Sequence, residues 1–244
     1  MKETLLRIAE NIPLTRTVYR MTLTGEELEP HRPGQFVNLQ TDGYFLRRPV
    51  SVADQEGDTL RLIYKVVGAG TAWLSIRQPG ENINALTGLG NGYDLSKAGE
   101  APLLLGGGVG VPPLIYLARK LRQEGRTVTA VLGFNTAGEV FGPEDFEALG
   151  CRVILTTADG SRGQKGFVTD ALPEHYSYVY TCGPEAMLRA VFRSIRSGGQ
   201  FSFEERMGCG FGACMGCSCR TVTGWKRICR EGPVLEKEEI LWNG

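Results

Sequence analysis

Three cysteines close together and a fourth set apart constrain this chain most. Residues 205–219 read Glu205-Arg206-Met207-Gly208-Cys209-Gly210-Phe211-Gly212-Ala213-Cys214-Met215-Gly216-Cys217-Ser218-Cys219, and Cys229 follows Cys217 after eleven further residues. A stretch so rich in Cys and Gly builds little hydrophobic core of its own and needs a staple, which a metal centre supplies. The spacing Cys209-x4-Cys214-x2-Cys217 with a distant Cys229 matches the four-thiolate pattern of a 2Fe–2S site. Gly210, Gly212 and Ala213 are small enough for the backbone to wrap a cluster and turn N–H groups toward its sulfurs. A structural zinc site is the other possibility, although zinc favours two separated pairs with short internal gaps. Cys219 reads as spare, on the same side of an extended strand as Cys217. Cys151 reads as an ordinary buried residue.

The seven cysteines are an odd number, and five of them fall between 209 and 229. The first eleven residues carry charges throughout and lack an apolar export segment. A disulfide framework is therefore not expected, and a cytoplasmic location is.

Residues 1–98 are β-rich. Runs such as Thr17–Leu23 and Leu60–Val66 alternate or are β-branched, with Gly and Pro between them, as in an antiparallel barrel. A short helix is expected over Thr71–Arg77. From residue 99 to 199 the rhythm changes to strand alternating with helix. Strands are expected at Leu103–Leu105, Thr127–Phe134, Arg152–Thr157 and Tyr178–Thr181. Helices are expected from Pro112 or Pro113 to Glu124 and over Glu185–Arg196. That alternation predicts a doubly wound parallel α/β sheet. Residues 200–244 form the third unit, the small cysteine lobe. Ala101–Ala118 is uncharged and mostly apolar, but its four Gly and three Pro rule out a spanning helix. Lys plus Arg equals Asp plus Glu at 27 each, which removes the basic excess of a nucleic-acid or membrane-surface binder.

Four loops carry candidate chemistry. Arg47-Arg48-Pro49-Val50-Ser51 opens a barrel strand, and a guanidinium followed by a hydroxyl can hold a pyrophosphate and position a flavin. A solvated edge strand would also account for it. Gly68-Ala69-Gly70-Thr71 offers N–H groups at a helix start, or simple capping by Thr71. Gly106-Gly107-Gly108-Val109-Gly110-Val111-Pro112-Pro113 joins a buried strand to a helix. It departs from G-x-G-x-x-G, because Pro113 stands where the third Gly would be, yet it still permits close backbone approach by a nucleotide. Cys182-Gly183-Pro184-Glu185 ends a second apolar strand and can face the same crevice, or be a plain strand–turn–helix junction.

Arg48-Pro49-Val50-Ser51, Gly70-Thr71, Gly108-x-Gly110-x-x-Pro113 and Cys182-Gly183-Pro184 occur in the order seen in the ferredoxin–NADP reductase superfamily. With the cysteine segment added, the whole chain resembles the electron-transfer subunits of type B dihydroorotate dehydrogenase. The resemblance implies an FAD-binding β-barrel, an NAD-binding α/β domain and a C-terminal 2Fe–2S lobe. It implies FAD held by Arg48, Pro49, Val50, Ser51, Ile63, Tyr64, Lys65, Gly70 and Thr71. It further implies nucleotide contacts at Gly108, Gly110, Cys182, Gly183 and Pro184, and cluster ligands Cys209, Cys214, Cys217 and Cys229. Val50 departs from the superfamily, where an aromatic often stacks on the flavin.

The implied partner is an FMN-containing catalytic subunit that oxidises dihydroorotate, in a heterotetramer of two copies of each chain. Hydride exchange between nicotinamide and flavin needs alignment, not a protein acid or base. The two histidines, His31 and His175, lie in no motif, and no catalytic residue is assigned. NAD is favoured over NADP because Asp159 would repel a 2′-phosphate, while Arg162 nearby argues the other way. Similar subunits of hydrogenases and of the NADH-dependent ferredoxin–NADP oxidoreductase are the nearest rivals. In the latter the first cluster ligand is typically Asp, where this chain has Cys209. A zinc-stapled binding module is the rival of a different class.

Overall fold

The computed structural model describes residues 1–26 and 28–242. Six strands close an antiparallel barrel: β1 (Lys2–Pro13), β2 (Val18–Thr24), β3 (Phe36–Leu39), β4 (Arg48–Glu56), β5 (Thr59–Lys65) and β6 (Asn82–Leu89), in the order β1-β2-β5-β4-β3-β6. Helix α1 (Ala69–Ser75) lies between β5 and β6. Alternation builds the barrel interior. Leu6 and Ile8 of β1, Met21 and Leu23 of β2, Val37 and Leu39 of β3, and Val50 and Val52 of β4 point into one core. Helix α1 begins two residues earlier than Thr71. The Thr71 hydroxyl accepts from the backbone N–H of Val67 at 2.9 Å and of Gly68 at 3.2 Å, so Thr71 caps a helix already under way.

The second unit comprises β7 (Leu103–Gly107), α2 (Pro112–Gln123), β8 (Thr129–Phe134), α3 (Pro143–Ala148), β9 (Arg152–Thr157), β10 (Gln164–Lys165), β11 (Val179–Cys182), α4 (Glu185–Ser194) and β12 (Gly199–Ser202). The sheet order is β10-β9-β8-β7-β11-β12, all parallel. Both faces are covered. Leu104, Ala130 and Leu132 pack with Leu114 and Leu117 of α2 and Phe146 of α3, while Leu103, Leu105 and Val131 pack with Leu188 and Val191 of α4. Proline opens α2 in its first turn, and Gly125 ends it at φ +79°. Glycines 106 and 107 belong to β7, not to the loop expected from 106 to 110, because Gly106 pairs with Leu132 and Cys182 on the flanking strands. Gly108–Gly110 then form one 3-10 turn.

The cysteine segment adds a hairpin, β13 (Ser218–Thr221) with β14 (Gly224–Arg227), and a final strand β15 (Val234–Glu236) antiparallel to β12. Two expectations change here. The boundary placed between 199 and 200 falls inside β12. The lobe also shares a core, since Cys217, Ile228, Cys229, Leu235 and Ile240 cluster with Phe36 and Leu89 of the barrel and Phe201 of the sheet. Among the described residues no helix is long and apolar enough to cross a membrane.

Candidate functional site

At the barrel edge the two adjacent arginines part company. Arg47 is committed to the barrel, donating to Asn84 Oδ1 at 2.6 Å and pairing with Glu3 at 3.1 Å. Arg48 turns the other way. Its guanidinium lies 5.2 Å from the Tyr44 ring centroid, donates to the Leu46 carbonyl, and rests on Gly70, where a Cβ would displace it. The structure thus brings Arg48 of β4 to Gly70 of α1, two segments far apart in sequence. Pro49 and the half-buried Ser51 share the outward face, whereas Val50 is packed into the barrel core at 7% exposure. Tyr64 also points inward. Its hydroxyl donates to Asn11 Oδ1 at 3.0 Å, and burial raises its pKa far above the usual phenol range. Ile63 is buried against the α/β unit, and Lys65 is half-buried at the strand end. Of this trio, the Tyr64 and Ile63 side chains serve packing.

The two candidate nucleotide loops converge as parallel strands require. Cys182 stands opposite Gly106, so the C-terminal ends of β7 and β11 open side by side. Strands run outward in opposite directions from this point, which is the switch-point crevice of an open α/β sheet. Gly110 rests directly on the backbone of Cys182 and Gly183, with no room for a Cβ. Gly107 packs on Met187 and Pro184, while Gly108, at φ +51°, has open space above it. Burial pushes the Cys182 thiol up to about 12, so it stays protonated. Asp159, beyond the end of β9, accepts from the Ser161 hydroxyl at 2.6 Å and N–H at 2.9 Å, which hold its carboxyl below the ordinary range. Arg162 pairs with Glu144 at 3.4 Å.

The cysteine loop wraps its sulfurs in backbone N–H groups. Ala213 N at 3.2 Å and Cys214 N at 3.4 Å donate to Cys209 Sγ; Cys209 N donates to Cys214 Sγ at 3.4 Å; Cys229 N donates to Cys217 Sγ at 3.4 Å. Gly210 and Gly212, at φ +79° and +93°, supply the left-handed turns that this path needs. Partial burial opposes ionisation of the Cys209 thiol, but N–H donors from Cys214, Phe211 and Ala213 outweigh it and bring the thiol down to about 6. Burial, then the neighbouring Cys217, raises Cys229. Among the described residues the four thiols stand as two linked pairs and not as one closed ligand set. Four sulfurs with N–H donors aimed at three of them fit an iron–sulfur cluster, whose thiolates take such bonds. Cys219 sits on β13, half-buried, its thiol raised by burial.

One residue escaped the sequence reading. Asn38 of β3 is 1% exposed, and its Nδ2 donates to the Cys209 carbonyl at 3.2 Å. A lone amide inside Phe36-Val37-Asn38-Leu39 was the available signal. Neither histidine joins the site. His31 is buried with Nδ1 against Gln55 Oε1 at 2.8 Å and Nε2 accepting from Gly88 N at 3.2 Å, and burial lowers its pKa.

The family described as the iron-sulfur cluster binding domain of dihydroorotate dehydrogenase B matches residues 204–241. A "Dihydroorotate dehydrogenase B (NAD(+)), electron transfer subunit" of Geobacillus sp. (strain WCH70) is 40% identical, with 99% of each chain covered. That of Shouchella clausii (strain KSM-K16) is 41% identical over 98% of each. Among solved structures, the chain is similar to one described in "Insights into flavin-based electron bifurcation via the NADH-dependent reduced ferredoxin-NADP oxidoreductase structure", with TM-score 0.86, 29% identity, and 97% and 90% of the two chains covered. A ferredoxin NADP+ reductase from Neisseria gonorrhoeae with bound FAD and NADP shares the fold at TM-score 0.68 and 19% identity, over 80% of this chain and 90% of that one. On its near full-length identity to these relatives, the chain belongs to the family of dihydroorotate dehydrogenase B (NAD(+)) electron transfer subunits.

Proposed function

We propose that this chain links NAD(H) to a partner subunit that oxidises dihydroorotate in pyrimidine biosynthesis. When bound, FAD supplies hydride exchange with the nicotinamide, and a 2Fe–2S cluster supplies one-electron exchange with the partner's FMN. The chain's own residues hold, orient and insulate. Arg48 offers a guanidinium to the FAD pyrophosphate, with Pro49, Val50, Ser51, Ile63, Tyr64, Lys65, Gly70 and Thr71 lining that edge. The Val50, Ile63 and Tyr64 contributions come through the backbone, since their side chains face the packed core. Gly108, Gly110, Cys182, Gly183 and Pro184 form the nicotinamide-nucleotide floor. Cys209, Cys214, Cys217 and Cys229 ligate the cluster, and the N–H groups of residues 209, 213, 214 and 229 tune its potential.

The observation that carries this reading is the convergence of Arg48 with Gly70, and of Gly110 with Cys182–Gly183, in a chain whose third unit cradles sulfurs with backbone N–H. We assign residues 1–98, 99–199 and 200–244 to FAD, NAD and cluster binding respectively, with β12 shared across the last boundary. Association with the catalytic subunit as two copies of each, in the cytoplasm, completes the proposal.

Anaerobic purification with the partner tests it. The chain should carry one FAD and two irons with two acid-labile sulfides, and NADH should bleach its visible absorption. A folded, colourless chain containing zinc would refute it.

A further inference from the structure

The strand β3 carries a single polar side chain, Asn38, and that side chain joins the barrel to Cys209. Asn38 stands opposite Pro49 on β4, within the Arg48–Ser51 segment. Its backbone carbonyl accepts from Arg47 Nη1 at 3.4 Å. Its side-chain Nδ2 donates to the Cys209 carbonyl at 3.2 Å, across 171 residues of sequence. Gly210, the next residue, approaches so closely that a Cβ there would run into Asn38 Nδ2. The other side of the amide, Oδ1, is buried and has no hydrogen-bond partner among the described residues.

A buried carboxamide satisfied on one side only is worse for stability than a leucine of similar volume. Val37 and Leu39 point into the barrel core, so Asn38 faces the other way, on the side of Phe36, whose apolar cluster with Leu89, Cys217, Ile228 and Cys229 would suit a leucine. Fold stability therefore does not account for the amide, and its single hydrogen bond does. That bond ties the segment bearing the first ligand to the strand paired with Pro49.

We propose that Asn38 is a positioning residue of the electron relay: its amide fixes the Cys209–Gly210 segment against the strand pair that carries the flavin-binding Arg48–Ser51. This rests on the reading that the loop holds the cluster. Releasing the clamp lets the Cys209 carbonyl and the N–H groups that follow it rotate. Those N–H groups face the sulfurs, so both the distance between redox centres and the donors that tune the cluster change together.

The test uses the intact FAD- and cluster-loaded protein, prepared anaerobically. Asn38→Leu keeps the volume and removes the donor. Asn38→Ala removes the same donor with a smaller side chain and serves if Asn38→Leu does not fold. Each variant should retain FAD and iron near wild-type content. Each should shift the electron paramagnetic resonance spectrum and midpoint potential of the dithionite-reduced cluster, and slow NADH-driven cluster reduction several-fold. An iron-replete Asn38→Leu protein with wild-type spectrum, potential and reduction rate overturns the inference, whatever its melting temperature. A wild-type protein without iron removes the proposed function instead, and this inference with it.

Discussion

Gly110 shows how much a hydrogen atom can matter at one position. It lies on the peptide joining Cys182 to Gly183, and a methyl group there would meet backbone, which cannot swing aside as a side chain can. Gly110→Ala is expected to cost about 1–3 kcal/mol as an overpacking substitution. It should also raise the KM for NADH while leaving the FAD content unchanged, which urea unfolding and steady-state kinetics will check. Sequence alone marked this position, because four glycines in five residues exceed what a tight turn needs. It did not mark Asn38, whose partner lies 171 residues away. Nor did it show that Tyr64 and Val50 face inward: alternation separates the two faces of a strand, but in a barrel set against a second unit both faces are covered.

At the scale of elements, the β13–β14 hairpin is held to the cysteine loop by one arginine. Arg227, at the end of β14, donates from Nη1 to the Gly212 carbonyl at 2.7 Å and from Nε to Glu231 Oε2 at 2.9 Å. The Arg227 pairing holds the Glu231 carboxyl down to about 2, from an ordinary 4.5. The folded protein therefore binds fewer protons than the unfolded chain between those values. The stabilisation is complete above pH about 4.5 and is lost as pH falls through about 2. Glu231→Gln should flatten the acid limb of the stability curve between pH 4.5 and about 2, checked by urea unfolding followed by circular dichroism. The carboxylate is about one-third exposed, so water screens the pair and the effect should be modest. The six residues of Arg152–Thr157 were readable from pattern. The three residues of β15 were not, since Val234-Leu235-Glu236 is too short to show a period.

For the whole molecule, a buried ion pair bridges the two larger units. Asp54 of β4, with 6% of its side chain exposed, pairs with Arg119 of α2, and Arg61 stands 3.6 Å away. The strand that begins with Arg48 is thereby tied to the helix that begins after Gly110. Arg119→Met strands the carboxylate, and breaking such a pair costs roughly 3–5 kcal/mol. The lower end is expected here because Arg61 remains. Adding Asp54→Asn should recover much of the loss, and chemical denaturation of the single and double variants will show it. The three-unit plan was legible because alternation, strand–helix rhythm and cysteine density differ so plainly along the chain. The seam at β12 was not, because strand pairing ignores sequence order.

That seam has a practical outcome. Strand β15 covers the outer side of β12, so the last stretch of chain caps the border of the nucleotide sheet. Clipping it off would uncover a row of unpaired peptide groups able to recruit another molecule's strand. A shortened version ending near residue 205 should therefore clump in solution instead of behaving as a tidy flavin reductase.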